Sequence, residues 1–124
     1  MRPNESAADS KAERDFATLL PDGLATADHS VYVIEEDGEP AGDLWVAARE
    51  SDFGRTLFVY DVHVHTDRRG RGLGRAAMLF AEDEARRRGI PRVSLNVFGG
   101  NSVARGLYRS LGYRETSVWM AKDV

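Results

Sequence analysis

A chain of 124 residues, 42% hydrophobic and 30% charged, has the size and composition of one soluble domain built on one core. Its formal net charge of -3 argues against a protein that coats nucleic acid, and the absence of cysteine removes disulfides, thiolate zinc sites and cysteine nucleophiles. No apolar run approaches the ~20 residues that cross a bilayer, and the polar opening Met1–Ser10 lacks the form of a signal peptide, so the expectation is a cytoplasmic domain with neither nucleic-acid nor membrane partners.

Residues 1–9 are polar and expected to be disordered. Ser10-Lys11-Ala12-Glu13 reads as a capping box, and Ala12, Phe16, Leu19 and Leu20 follow at helical spacing until Pro21 and Gly23. Val31–Glu36 is rich in β-branched residues and predicts a strand. Asp37-Gly38 is a hairpin turn signal, and Ala41–Arg49 is the returning strand. A polar loop, Glu50–Arg55, leads to a longer strand at Thr56–His65.

A helix is predicted from Gly72 to about Arg88, with Leu73, Ala76, Ala77 and Phe80 as its apolar stripe. Glu82–Arg86, Asp83–Arg87 and Glu84–Arg88 are acid-first i,i+4 pairs, read as a solvated face and worth ~0.2–0.5 kcal/mol each in isolated helices. Gly89 and Pro91 stop the helix. Arg92–Phe98 alternates as a strand, Gly99-Gly100 breaks it, Asn101–Leu111 is a short helix and Ser117–Lys122 a last strand. The order predicts one α/β (α+β) domain over residues 1–124 with a mixed sheet.

The turn Arg69-Gly70-Arg71-Gly72-Leu73-Gly74 joins the long strand to the long helix. The first N–H groups of a helix have no intrahelical partner and carry the positive end of its dipole, so they bind phosphate. Glycines let an anion approach those groups, and Arg69, Arg71 and Arg75 add charge beside them. A phosphate-binding P-loop is excluded because its Lys is missing. Gly72-Leu73-Gly74-Arg75-Ala76-Ala77 fits the dinucleotide fingerprint, but Asn96 stands where its acid is expected.

Val64 to Gly74 instead resembles the acyl-CoA motif of the GNAT superfamily of N-acyltransferases, Arg-x-x-Gly-x-Gly after a strand. A second block, Asn101 to Tyr113, is similar to that family's Asn-x-x-Ala-x-x-Leu-Tyr-x-x-x-Gly-Phe helix. The resemblance covers Val31 to about Val124. It implies a mostly antiparallel central sheet flanked by helices, and transfer of an acetyl group from acetyl-CoA to a primary amine, small molecule or protein, by direct attack and without a metal. It further implies that the backbone of Val62 to Val64 holds pantetheine, with the Val64 N–H a candidate donor to the thioester oxygen. Arg69, Gly70, Arg71, Gly72, Leu73, Gly74 and Arg75 would bind the pyrophosphate, Asn101 the pantetheine arm, and Tyr108 would protonate the leaving thiolate.

The general base is open, because Phe58 and Asn96 occupy the positions where family members often carry Glu. Asp61 and His63 are the alternatives, subject to the strand bulge the family often has here. Asp61, His63 and His65 also spell a carboxylate–imidazole metal set, the lesser reading. His29 is assigned no role. The family's first strand is expected to be missing, which would expose the Val31–Glu36 edge; another chain, as in a homodimer, or the N-terminal segment itself is the expected cover. The rival function is a non-catalytic acyl-CoA-binding module of the same fold.

Overall fold

The computed structural model describes Ala17–Leu19 and residues 28–124. A five-stranded sheet runs in chain order, β1 (Ala17–Leu19), β2 (His29–Glu36), β3 (Glu39–Ser51), β4 (Gly54–Val64) and β5 (Val93–Leu95). Its first four strands are antiparallel and β5 lies parallel to β4. The parallel step needs a crossover, which α1 (Leu73–Arg87) supplies, and α2 (Ser102–Ser110) follows β5.

Strand alternation decides which face is buried. Tyr32 and Ile34, Leu44 and Val46, and Leu57 and Val59 point to one face and are buried. Alanines 76, 77, 81 and 85 of α1 are also buried, so the helix settles closely on that face around the fully buried Met78. Asp37 and Gly38 both take positive φ, 55° and 82°, as a two-residue hairpin turn between right-twisting strands requires.

Three expectations are corrected. The helix expected over Ser10–Leu20 lies mostly outside the described residues, and Ala17–Leu19 is a strand paired with Val31–Val33 of β2. A three-residue first strand is therefore present, and the N-terminal segment itself covers that part of the β2 edge. Helical spacing misled at Leu19 because an open sheet edge offers backbone partners that local periodicity does not register. Second, β5 stops at Leu95 instead of Phe98, and no strand forms at Ser117–Lys122. A strand needs a neighbour along its length, and β5 meets β4 only at Leu57–Val59. Third, the charged run on α1 is not all solvated. Glu84 is buried, and its carboxylate accepts hydrogen bonds from the Tyr32 hydroxyl at 3.0 Å, from Arg88 Nε at 2.9 Å and from Arg87.

Candidate active site

A bulge in β4 sets the geometry of the site. Trp45 of β3 pairs with Asp61 while the next residue, Val46, pairs with Val59, so Tyr60 is the extra residue. The bulge reverses which backbone groups face which way. Before it, the Leu57 N–H donates outward to the Arg92 carbonyl beside β5 at 2.8 Å; after it, the His65 N–H donates inward to the Ala41 carbonyl beside β3 at 2.7 Å. Alternation then turns the N–H groups of Val62 and Val64 toward the side from which β5 has departed. Their side chains pack on the core, and Asp61 and His63 project to the opposite face.

An open cleft of ≈ 180 Å³ lies where β4 and β5 part. Val59 to Val62, Asn96 to Phe98, Asn101 and Tyr108 are among its lining residues. Asn101 is also the N-cap of α2, its Oδ1 accepting from the Ala104 N–H at 3.1 Å, which leaves its amide NH2 as the donor available to a ligand. Tyr108 is half-buried against the core. Burial first, and then the charge of Asp61, raise its phenol above 10.0, so it holds its proton at neutral pH.

Asp61 lies on the cleft wall. Burial, then a hydrogen bond and the charge from Asp43 on the neighbouring strand, push its carboxyl above 3.8, while His63 pulls the other way. His63 pairs across the sheet with Asp43, and its ring lies 5.8 Å from His65. It is not among the residues lining the cleft. Among the described residues, no group of three metal-ligating side chains comes together.

The glycine turn sits beyond the end of β4. Gly70 and Gly72 have φ of 78° and 82°, and a Cβ on either would point into open space. Gly72 is the N-cap of α1 and provides no side-chain cap, so the first N–H groups of the helix are left for another acceptor. Of the sequence-predicted cradle residues, Leu73 buries its side chain in the core and offers only its backbone. Arg69 folds back, its Nε donating to the Val64 carbonyl at 3.1 Å. Arg71 is partly neutralised by Glu36 of β2 at 2.9 Å, a carboxylate it shares with Arg68 at 3.0 Å. Arg75 is exposed. The Arg69–Gly74 turn and the cleft thus follow one another along the chain, joined by Val64 and Arg69.

Sequence reasoning missed three features here. Asp43 acts on Asp61 from across the sheet. His29, given no role, begins β2, accepts from Trp45 Nε1 at 2.9 Å and stacks on Tyr60 with ring centroids 5.4 Å apart. Gly42 is buried where β3 passes β4, and a Cβ on it would come within 2.0 Å of the His63 carbonyl oxygen. The first two depend on cross-strand register, which no local motif encodes; an isolated glycine inside a strand was the one available signal for the third.

The mixed sheet with its bulged fourth strand and the glycine-capped helix match the fold of solved acetyltransferases. The sequence model of the Acetyltransferase (GNAT) family matches residues 2–113, and the chain belongs to that family. It is 35% identical over 110 residues to the uncharacterised N-acetyltransferase YycN of Bacillus subtilis (strain 168), covering 88% of this chain and 70% of that protein. It is 31% identical over 121 residues to the uncharacterised N-acetyltransferase YdgE of the same organism, covering 97% and 77%. The crystal structure of YycN superposes with a TM-score of 0.73 at 34% identity, over 85% of this chain and 68% of that one. The structure of AAC(6')-Iy in complex with the bisubstrate analogue CoA-S-monomethyl-acetylneamine shares the fold, with a TM-score of 0.71 at 16% identity over 82% and 72%.

Proposed function

We propose that this chain is an N-acetyltransferase that moves the acetyl group of acetyl-CoA to a primary amine by direct attack. The single observation that carries the reading is the cleft between β4 and β5. It gathers an outward-facing backbone, a carboxyl above its usual range and a protonated phenol, and the strand that supplies the first two runs on to an uncapped helix N-terminus.

Acetyl-CoA, when bound, supplies the acetyl group as a thioester. The helix N-terminus at Gly72–Arg75, with Arg69 and Arg71 nearby, would hold its pyrophosphate, and Asn101 with the Val62 N–H would hold the pantetheine arm. The Val64 N–H would donate to the thioester oxygen as negative charge grows there. Asp61 takes a proton from the acceptor ammonium, directly or through a water, and frees the nitrogen lone pair. The new N–C bond forms as the C–S bond breaks, Tyr108 gives its proton to the departing thiolate, and the nitrogen sheds its second proton to solvent. Solvent then restores both groups. Asp61 is preferred to His63 as base because it lines the cleft. The stacked rings of His29, Trp45 and Tyr60 stand beside Asp61 on the outer face and would form a wall for the acceptor.

The test is a thermal scan with acetyl-CoA, CoA, NAD and RNA, followed by product detection across a panel of amines. A ligand that binds only the folded chain raises its melting temperature. A rise with acetyl-CoA and CoA, followed by acetylated amine and free thiol, supports the reading. A rise without turnover would favour a non-catalytic acyl-CoA-binding module, and no rise with either CoA form would reject both.

A further inference from the structure

The way α2 stops decides what covers Tyr108. Gly112 takes φ of 94°, the left-handed conformation in which a glycine ends a helix without strain. The Gly112 N–H donates to the Arg109 carbonyl at 3.0 Å, and the Tyr113 N–H donates to the Tyr108 carbonyl at 3.0 Å. Together these two bonds form a Schellman cap, which sets the residue after the glycine against a residue in the last turn of the helix. Here the two residues are Tyr113 and Tyr108. Their rings meet edge to face, with centroids 6.0 Å apart and planes at 63°.

Packing asks only for an aromatic ring at position 113, and the motif that this helix resembles carries Phe there. Tyr113 adds a hydroxyl, which donates to Glu82 Oε2 of α1 at 2.9 Å. The other Glu82 oxygen lies 3.8 Å from Arg86. Burial first, and then the Glu82 charge, raise the Tyr113 phenol far above 10.0, so the hydroxyl remains a donor at neutral pH. The Tyr108 hydroxyl has no such tie. Among the described residues, burial and the Asp61 charge act on it and no hydrogen bond does. Its place in the cleft is therefore set by the packing of its ring against the core and against Tyr113.

We propose that Tyr113 and Glu82 are positioning residues for proton delivery: Glu82 fixes the Tyr113 ring, and that ring keeps the Tyr108 phenol in the cleft. The inference rests on the acid role proposed for Tyr108. Glu82 belongs to the helix that the glycine turn opens, so the clamp ties the proton donor to the element that would hold the pyrophosphate. Misplacement of a reacting group by about 1 Å can cost roughly 10²-fold in rate.

Steady-state kinetics on the full chain, with thiol detection, tests the clamp. Tyr113→Phe keeps the ring and removes the tie. It is expected to lower kcat by about 10-fold, with KM for acetyl-CoA within about two-fold of the parent. Glu82→Leu should fall as far, whereas Glu82→Gln still accepts the hydrogen bond and should restore most of the rate. Added to Tyr108→Phe, Tyr113→Phe should cost nothing further, because it acts through the phenol already removed. An equal fall in both backgrounds would overturn the proposal, and so would a lower urea midpoint with kcat unchanged. If Tyr108→Phe slows turnover and Tyr113→Phe does not, the clamp is wrong and the acid role stands. No turnover by the parent chain, or an unchanged kcat in Tyr108→Phe, would reject the acid role and this inference with it.

Discussion

Asp61 of β4 and Tyr108 of α2 line the same cleft, and after burial it is the Asp61 charge that raises the Tyr108 phenol above 10.0. The two groups thus stand in opposite roles, one able to accept a proton and the other keeping one. Tyr108→Phe is expected to lower kcat by roughly 10²-fold, the usual scale of one general-acid contribution, with little change in acetyl-CoA binding. Because the phenol must be protonated to act and its pKa is raised, the midpoint of any loss of activity from its ionisation should lie above pH 10.0. Steady-state kinetics with thiol detection across pH checks both points; an unchanged kcat removes Tyr108 from the acid role.

Assignment of the base follows from where β4 puts its side chains. Asp61→Asn is expected to lower kcat/KM by about 10²-fold or more, and His63→Ala to leave it within a few-fold. A carboxylate base acts when deprotonated, so activity falls as pH drops through the folded pKa of Asp61. That pKa is raised, so the acid limb should lie above 3.8. Asp43→Asn removes the charge that adds to burial, and should move the limb to lower pH without abolishing turnover. A larger loss in His63→Ala than in Asp61→Asn would reverse the assignment.

Gly42 and His63 meet where β3 runs closest to the site. A methyl group at Gly42 would need the space held by the His63 carbonyl oxygen, 2.0 Å away, so Gly42→Ala must push β4 outward. Overpacking of this kind costs about 1–3 kcal/mol, measurable as a fall in the urea midpoint. The displaced residues precede Val64, whose N–H turns to the side from which β5 has departed, so acetyl-CoA affinity should fall too. Gly72→Ala makes the contrasting case. Its Cβ meets nothing, but φ of 82° strains an L residue, at a cost of about 1 kcal/mol. Calorimetric titration should show Gly72→Ala weakening CoA beyond what that modest destabilisation explains.

Much of this site was legible because it is local. Arg69–Gly74 and Asn101–Tyr108 each carry their meaning within a few residues, and α1 and α2 begin within one residue of where the sequence placed them. The hairpin at Asp37-Gly38 was equally plain, since two adjacent positive φ values demand such a pair. What escaped depends on partners distant in sequence. The Tyr60 bulge fixes which of Asp61, Val62, His63 and Val64 face the cleft, yet it exists only in the pairing of β3 with β4. Ala17–Leu19 became a strand because β2 offered an edge, and Ser117–Lys122 failed to become one because nothing among the described residues pairs with it.

Glu84 gives a stability prediction independent of the site. Burial alone would raise its pKa, but hydrogen bonds from Arg87, Arg88 and Tyr32 outweigh it and leave the carboxyl below 4.5. A depressed carboxyl pKa stabilises the fold fully above the unfolded value, and that stability drains away as pH falls toward the folded one. Removing one partner of a buried ion pair costs about 3–5 kcal/mol; Arg87 is largely exposed, so Glu84→Gln should fall at the lower end. Urea unfolding of both proteins should show the difference constant from pH 7 down to about 4.5 and shrinking below it, as protonation makes the native Glu84 resemble Gln. A difference that stays level through pH 3 would mean that the lost interaction is packing or a neutral hydrogen bond, and that the carboxylate charge at Glu84 contributes nothing to the fold.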